Sequence, residues 1–600
     1  MSAAQHALVP RPRSAVPPSA FGRRPGRPNA PVWAAAGAAL AAGLGWAVLY
    51  AGVGGDLAAQ WAWADFVARH PGAAYDLAWY GGLHPASYSL LSPYLMAVFG
   101  VRTVAVLSDV AAAALLARLL VRAGVRRPMP AALWGAFALT CDVVAGRVTF
   151  ALGCAFGLAA LVAAGPDRSP PHRRTPHYRT PRRRTAAAAG CALLAALASP
   201  VAGLFVEVAA AALLLTGRRR TGLALALPLP VVLAVTGVLF PFRGIDPIAP
   251  TTVAMCLATV AGVLVLAPPG WRAVRAGAVV YGIGAVATGV LATPVGANVQ
   301  RLGLLFGAVV LLAVRGTAPP LPGRSKRLPP LLSRRRGAVL LAACAASAWW
   351  TVAGNLVGLP APSSAHAGDA LVAELRRLGA DRGRVEAVPM LNHWESWGLA
   401  GTVELARGWN RQADLQRNPL FYEGTLTPDR YRDWLRRWAV GYVVLPSGTL
   451  DYAARQEAAV IGSGPDWLRE VWHDDHWRLY RFTDAVPLAL PLTEPPPGPS
   501  SGPPAGPSSA RSGDPSAGPA VVVEHAGPAE VVLGVPAPGP VEVRIPWTRW
   551  LAVHGPAGAC LARGADGWTT LRAPAPGRYR IDARYSRPGG TPCPAPQPPR

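Results

Sequence analysis

Eleven predominantly apolar stretches, each near the roughly 20 residues that an α-helix needs to cross a bilayer, constrain this chain more than any other feature. They fall at 32–53, 103–122, 129–146, 147–165, 185–198, 200–216, 221–240, 251–268, 275–292, 301–315 and 337–354. The composition agrees, because 52% hydrophobic residues, 15% charged residues and a mean hydropathy of +0.27 do not describe a string of soluble domains. Several stretches are short, a length tolerated where broken helices line a protein-walled cavity. Residues 1–31 are rich in Pro and Arg and carry no apolar core of a signal peptide, so the first stretch reads as an uncleaved anchor behind a basic tail.

A formal charge of +26 would by itself raise nucleic acid as a partner. Its placement excludes that reading. Residues 1–358 hold 33 Lys plus Arg against 8 Asp plus Glu, whereas residues 359–600 hold 25 against 24. A basic excess confined to loops between apolar segments is what membrane orientation produces. The stretch from Pro85 to Gly100 (PASYSLLSPYLMAVFG) decides the parity. If it does not span, the tail and the loops near 122–127, 166–184, 218–220, 269–275 and 315–336 share one side with 27 basic residues, against five in the opposite loops: Arg69, Arg102, Arg147, Arg243 and Arg301. If it spans, the counts become 9 and 23. The first arrangement predicts eleven transmembrane helices, N-terminus in and C-terminus out, with Pro85–Gly100 along the outer interface.

The sequence thus predicts a polytopic α-helical membrane protein: a cytoplasmic tail 1–31, a transmembrane domain 32–358 with an external loop 54–102, an external α/β domain 359–490, a Pro/Gly/Ser linker 491–519 and a small external β-sandwich 520–600. The α/β domain follows from helix-like and strand-like stretches such as DALVAELRRLG and YVVLP, and the sandwich from short alternating runs such as VEVRIPWT and RYRIDARY. Cys560 and Cys593 flank the last strands in an oxidising compartment, which predicts a disulfide worth about 3 to 4 kcal/mol in the chain-entropy model. The other five cysteines lie in apolar stretches as small hydrophobes.

Asp56 opens the external loop directly beyond the first helix. It is either a helix-end polar residue or a carboxylate serving as general base or metal ligand at the outer surface. In the later region, MLNHWESWGLAGTVELARGWNRQADLQRNPLFYEG gathers His393, Trp394, Glu395, Arg407, Trp409 and Arg411, which suit a carbohydrate surface or the lid over a membrane site, or else a loop docked on the membrane domain. HDDH at 473–476 looks like a metal cluster, but strand residues on both sides make Asp474-Asp475 a hairpin turn. There is no P-loop, dinucleotide fingerprint, HExxH or GxSxG.

An uncleaved first helix, an external loop opening on Asp56, an interfacial His84-Pro85 segment, many short spans and an external C-terminal region resemble the GT-C glycosyltransferase superfamily over roughly residues 30–480. The resemblance implies a plasma-membrane enzyme that transfers a sugar from a polyprenyl-phosphate donor to an envelope glycan or protein on the outer face, with membrane lipids and the lipid-linked sugar as partners and no nucleic acid. It implies Asp56 as the catalytic carboxylate and a phosphate-facing set of His84, Tyr88, Arg147, Asn298 and Arg301, arginine suiting phosphate through its forked donors. Ordinary snorkelling is the plain alternative for the arginines. The superfamily usually pairs two acids in this loop; here Leu57 follows Asp56 and the next acid is Asp65, so a divalent cation, the one cofactor considered, stays unassigned. A transporter or lipid flippase, and a catalytically silent envelope scaffold, are the rival readings; no repeat of two similar halves supports the first.

Overall fold

The computed structural model describes residues 29–50, 54–165, 181–315, 330–357, 359, 368–492 and 520–594. The basic tail up to 28, the loop segments 166–180 and 316–329 and most of the Pro/Gly/Ser tract lie outside these residues.

Each apolar stretch is helical. The helices are α1 (Ala30–Leu49), α2 (Leu57–Arg69), α3 (Ser92–Phe99), α4 (Val101–Arg122), α5 (Pro128–Val144), α6 (Val148–Ala164), α7 (Pro181–Ala198), α8 (Pro200–Leu215), α9 (Arg219–Ala226), α10 (Pro228–Leu239), α11 (Pro250–Leu266), α12 (Arg272–Val290), α13 (Gln300–Arg315) and α14 (Pro330–Asn355). Proline starts α5, α8, α10 and α11, where its missing N–H costs nothing. Six described helical spans are long and apolar enough to cross a membrane: 30–49, 101–122, 219–239, 272–290, 296–315 and 337–355. Four more, α5, α6, α8 and α11, are apolar but shorter. This is a helical membrane protein with β-rich C-terminal regions. Pro85–Gly100 contributes only a turn at Pro85–Ser87 and the eight-residue α3, about 12 Å of helix and far short of a 30 Å core.

Small residues let the helices approach. The buried stripe of α1 is Pro31, Ala35, Ala39, Gly43 and Trp46, and Gly43 meets Val106 of α4. Large apolar side chains such as Trp33, Val48 and Val290 face outward, as lipid contact requires. At one end, arginines satisfy helix C-termini: Arg122 Nη1 donates to the Val162 carbonyl at 2.7 Å, and Arg218 Nη2 to those of Ala164 (3.0 Å) and Gly165 (2.6 Å), both at the end of α6.

Beyond α14, strands β1 (Arg384–Ala387), β2 (Glu404–Leu405), β3 (Val440–Pro446), β4 (Leu468–His473) and β5 (Trp477–Phe482) form one sheet in the order β2-β1-β3-β5-β4. Its first three strands are parallel and its last three antiparallel. Asp474 closes the β4–β5 hairpin, its carboxylate accepting from the His476 and Trp477 N–H groups. Strand β6 (Ala489–Pro491) leaves this unit and joins β11 (Cys560–Arg563), β12 (Trp568–Ala573) and β9 (Gly539–Pro546) as β11-β12-β9-β6. The facing sheet is β10 (Leu551–His554), β13 (Gly577–Ala583), β8 (Glu530–Val535) and β7 (Val522–Ala526). Inward residues of both sheets, among them Val531, Leu533, Val541, Val543, Leu571 and Ile581, share one buried core, the arrangement of a sandwich. A disulfide joins Cys560 to Cys593.

Residues 70–92 thread all three parts. Ala74 N–H donates to Ala583 and Leu77 N–H to Pro528 of the sandwich; Ala78 O accepts from Leu405 at the sheet edge; Leu90 and Leu91 donate to Leu197 at the end of α7. The loop that carries Asp56 at its start is therefore held between the membrane helices and both β-containing units.

Candidate functional site

Asp56 sits at the N-cap position of α2 yet makes no capping hydrogen bond. Its carboxylate turns toward two arginines instead: Oδ2 lies 3.6 Å from Arg147 Nε and 3.6 Å from Arg301 Nη2. Both separations exceed a hydrogen bond, so these are loose ion pairs that an incoming anion can displace. Arg147, at the start of α6, is anchored from its other side, where Nη1 donates to Asp142 Oδ1 at 3.1 Å and to Asn355 Oδ1 at 2.5 Å. Arg301 lies in the first turn of α13 with its guanidinium carbon 5.1 Å from the centre of the Phe150 ring.

Two glycines make this convergence possible. A side chain at Gly54 would meet the Gly146 N at 2.7 Å, and one at Gly146 would meet the Leu57 N at 2.5 Å. Gly146 also holds φ +86°, a conformation that side chains resist. The segment before α2 thus presses backbone to backbone on the α5–α6 turn, which brings Asp56 to Arg147.

One of the flanking loops supplies a carboxylate the sequence did not single out. Asp246 Oδ2 accepts from Asn298 Nδ2 at 3.0 Å, and its N–H donates to Thr293 O at 2.9 Å. Burial pushes its carboxyl up to about 6, against the pull of Arg301. Tyr88 reaches the same neighbourhood: its hydroxyl accepts from Gln60 Nε2 at 2.6 Å, and burial together with the Asp56 charge raises its phenol. Asp56, Tyr88, Arg147, Asn298 and Arg301 therefore gather in one region.

His84 does not join them. It is buried against Tyr75 and Phe240 (ring centres 5.5 and 4.9 Å away), neither ring nitrogen has a hydrogen-bond partner among the described residues, and burial lowers it to about 3. Arg407 is likewise interior, bound to Glu386 and Glu457 with Asp414 at 3.8 Å, and reaches no open surface. Trp394 and Glu395 are buried in the short helix Trp394–Ala400, which packs on α2 through Trp397, whose indole donates to Asp65 at 2.7 Å. Trp409 has His393 stacked on it at 3.4 Å, and Arg411 lies 4.7 Å from its ring centre while holding Asp451 at 2.8 and 3.1 Å. These contacts occupy the aromatic faces that a sugar would need, so this group forms the interior and docking side of the α/β unit. It reaches the membrane helices through Gln412 Nε2, which donates to Pro294 O at 3.4 Å.

A cavity of about 680 Å³ runs between α4, α6, α8, α11, α12 and α13. Its lining on α6 includes Cys154, Gly157, Leu158 and Leu161, a single helical face that continues the positions of Arg147 and Phe150. On α13 it begins at Leu302 and Gly303, next to Arg301. The cavity therefore begins beside Arg301 on α13 and about 10 Å beyond Arg147 on α6, and it extends to Arg122, Arg218 and Arg272 at its other end. The ion-pair partners of Asp56 are guanidinium groups, and no set of three His, Cys, Asp or Glu residues among those described is arranged around a common point.

Residues 517–598 match a domain of unknown function, DUF8823. No curated protein sequence matches the chain. Among solved structures, it is similar to arabinofuranosyltransferase AftD from Mycobacteria, with 15% identity over 92% of this chain and 57% of that one at a TM-score of 0.45. A mutant form of the same protein gives 17% identity over 93% and 60% at 0.46. ArnT from Cupriavidus metallidurans bound to undecaprenyl phosphate gives 14% identity over 76% of this chain and 99% of that one at 0.42. The chain spans less than two thirds of the arabinofuranosyltransferase's length. At such TM-scores the likenesses carry no argument about this chain's chemistry, which has to come from its own site.

Proposed function

We infer that the protein transfers a sugar from a polyprenyl-phosphate donor to an acceptor hydroxyl at the outer face of the membrane, with eleven spans, the N-terminus inside and the C-terminal units outside. The observation that carries this reading is the loosely paired Asp56 between Arg147 and Arg301 at the end of an apolar groove. A long isoprenoid chain needs an apolar trough, its phosphate needs fixed cationic donors at the end of that trough, and the transfer needs a base beside the phosphate. The groove, the two arginines and Asp56 supply these in that order.

In the transfer the acceptor oxygen attacks the anomeric carbon and its proton passes to Asp56. The bond from that carbon to the phosphate oxygen breaks, and the lipid phosphate departs with an added negative charge. Arg147 and Arg301 stabilise that charge as it develops. Binding of the phosphate also relieves Asp56 of its two ion pairs, leaving the carboxylate free to accept the proton.

Asp56→Asn tests this directly. The variant should reach the membrane in normal amount and bind the donor, while turnover in a lipid-linked sugar assay drops about 100-fold or more, the scale of lost general-base help. Undiminished transfer would remove Asp56 as base, and loss of protein from the membrane would assign it a structural role.

A further inference from the structure

We propose that Asn355, the last residue of α14, is a positioning residue that aims Arg147 at the donor phosphate while leaving its charge unspent. The proposal rests on the reading of Arg147 given above. A guanidinium is a rigid planar fork, so fixing one terminal nitrogen from two directions fixes the plane. Here Arg147 Nη1 is gripped by Asp142 Oδ1 at 3.1 Å and Asn355 Oδ1 at 2.5 Å. Asn355 is itself fixed, because its Nδ2 donates to Thr351 O at 2.9 Å, which turns its oxygen toward the arginine. Thr351 is tied in turn to the Leu304 carbonyl of α13, three residues from Arg301. Asn355 and Asp142 are buried, at 4% and 2% exposure.

The opposite edge of the fork is what this grip leaves over. Arg147 Nε is buried, makes no hydrogen bond among the described residues, and has the Asp56 carboxylate 3.6 Å away. The Nε and Nη2 N–H bonds of a guanidinium point the same way and together match two oxygens of a phosphate. An unsatisfied buried donor is costly, and a phosphate oxygen would satisfy this one.

The chemistry of position 355 gives the arrangement its sense. Asp56 and Asp142 already balance Arg147 and Arg301, and Asp246 lies close by, so a further carboxylate at 355 would oppose an anionic ligand. An amide oxygen orients the arginine as a carboxylate would and adds no charge.

The test is binding of undecaprenyl phosphate to the full-length protein in nanodiscs, alongside donor KM and kcat. Asn355→Ala should weaken binding about 10-fold, the scale of one charge-assisted hydrogen bond, mainly through KM. Asn355→Asp should weaken it at least as much even though it grips Arg147 more firmly. The exchange of both groups, Asn355→Asp with Asp142→Asn, restores the cluster's charge and should recover binding to within a few-fold of wild type. A purely structural Asn355 would instead tolerate the single Asp substitution and gain nothing from the exchange, which overturns the proposal. Wild-type binding with an Asn355→Ala variant that binds equally well overturns the positioning role and leaves the site reading intact. A wild-type protein that does not bind the probe, or an Arg147→Ala variant that binds it unchanged, removes the site reading and the positioning role with it.

Discussion

Gly146 places the carboxylate more directly than any charged residue does, since its missing side chain lets Leu57 come within contact of the α5–α6 turn. Gly146→Ala imposes a Cβ 2.5 Å from the Leu57 N at a φ of +86°, which costs about 1 to 3 kcal/mol of strain or pushes Asp56 away from Arg147. Transfer should fall about tenfold or more, whereas Gly190→Ala, with nothing within 4 Å of the new carbon, should leave both stability and transfer near wild type in parallel assays. His84 predicts a pH effect. Its folded-state pKa is depressed to about 3 from an ordinary 6.5, so the unfolded chain takes up a proton that the folded one refuses as pH falls below about 6.5. Its contribution is present above that pH and is lost on acidification, by up to about 2 kcal/mol at pH 5. His84→Leu, which abandons no hydrogen bond, should flatten the thermal-unfolding profile in that window; an equally acid-sensitive variant would place the effect elsewhere. At this scale the sequence was half legible. Asp56, Arg147 and Arg301 stood out because charges are rare at the edges of apolar stretches. Asn355 did not, since an amide ending a helix looks like any helix end, and Asp246 before a proline looks like a turn former. His84 and Arg407 are polar yet interior, the first without a hydrogen-bond partner among the described residues and the second paired with Glu386 and Glu457.

Among the elements, α6 links the two halves of the proposed site, because one of its faces carries Arg147 at the start and groove-lining residues to its end. Filling the trough from the facing helix separates chain recognition from phosphate recognition. Ala209→Trp on α8 should lower affinity for undecaprenyl phosphate about 10-fold, roughly the contacts of two methylene groups, and leave a two-isoprene phosphate unaffected. Equal losses for both ligands would show that the groove does not hold the chain. The helical elements themselves were readable because a membrane imposes both a length and a composition on every span. Strand partners were not. Ala489–Pro491 reads as the end of one unit but pairs with Val541–Val543 of the next, since three residues carry no periodicity from which a partner can be inferred. The groove was equally invisible, because apart from Arg122, Arg218 and Arg272 its lining is as apolar as the lipid-facing surface and only packing tells the two apart.

Across the whole molecule, contacts make the orientation a single question. The loop after α1, the 240–249 segment, Pro294 and residues 391–412 touch one another: a Cβ added at Gly55 would lie 3.4 Å from Leu391 O, Gly244 abuts Gln412, and Trp550 of the sandwich stacks on Phe240 at 4.9 Å. All of them must therefore lie on one side of the membrane. Arg122 and Arg218 lie at the opposite end, where they close the C-terminus of α6. In the orientation proposed above that end faces the cytoplasm, the side favoured by an excess of 27 basic residues over five, because translocating so many arginines is opposed by the potential and the insertion machinery alike. Reporter fusions near 175 and 325 should thus read as cytoplasmic, and those near 75, 245 and 400 as external. The packing makes a mixed result among the last three incompatible with this fold. A uniform inversion would keep the fold but move Asp56 and its arginines to the cytoplasmic face, and with them the side on which the acceptor must be sought.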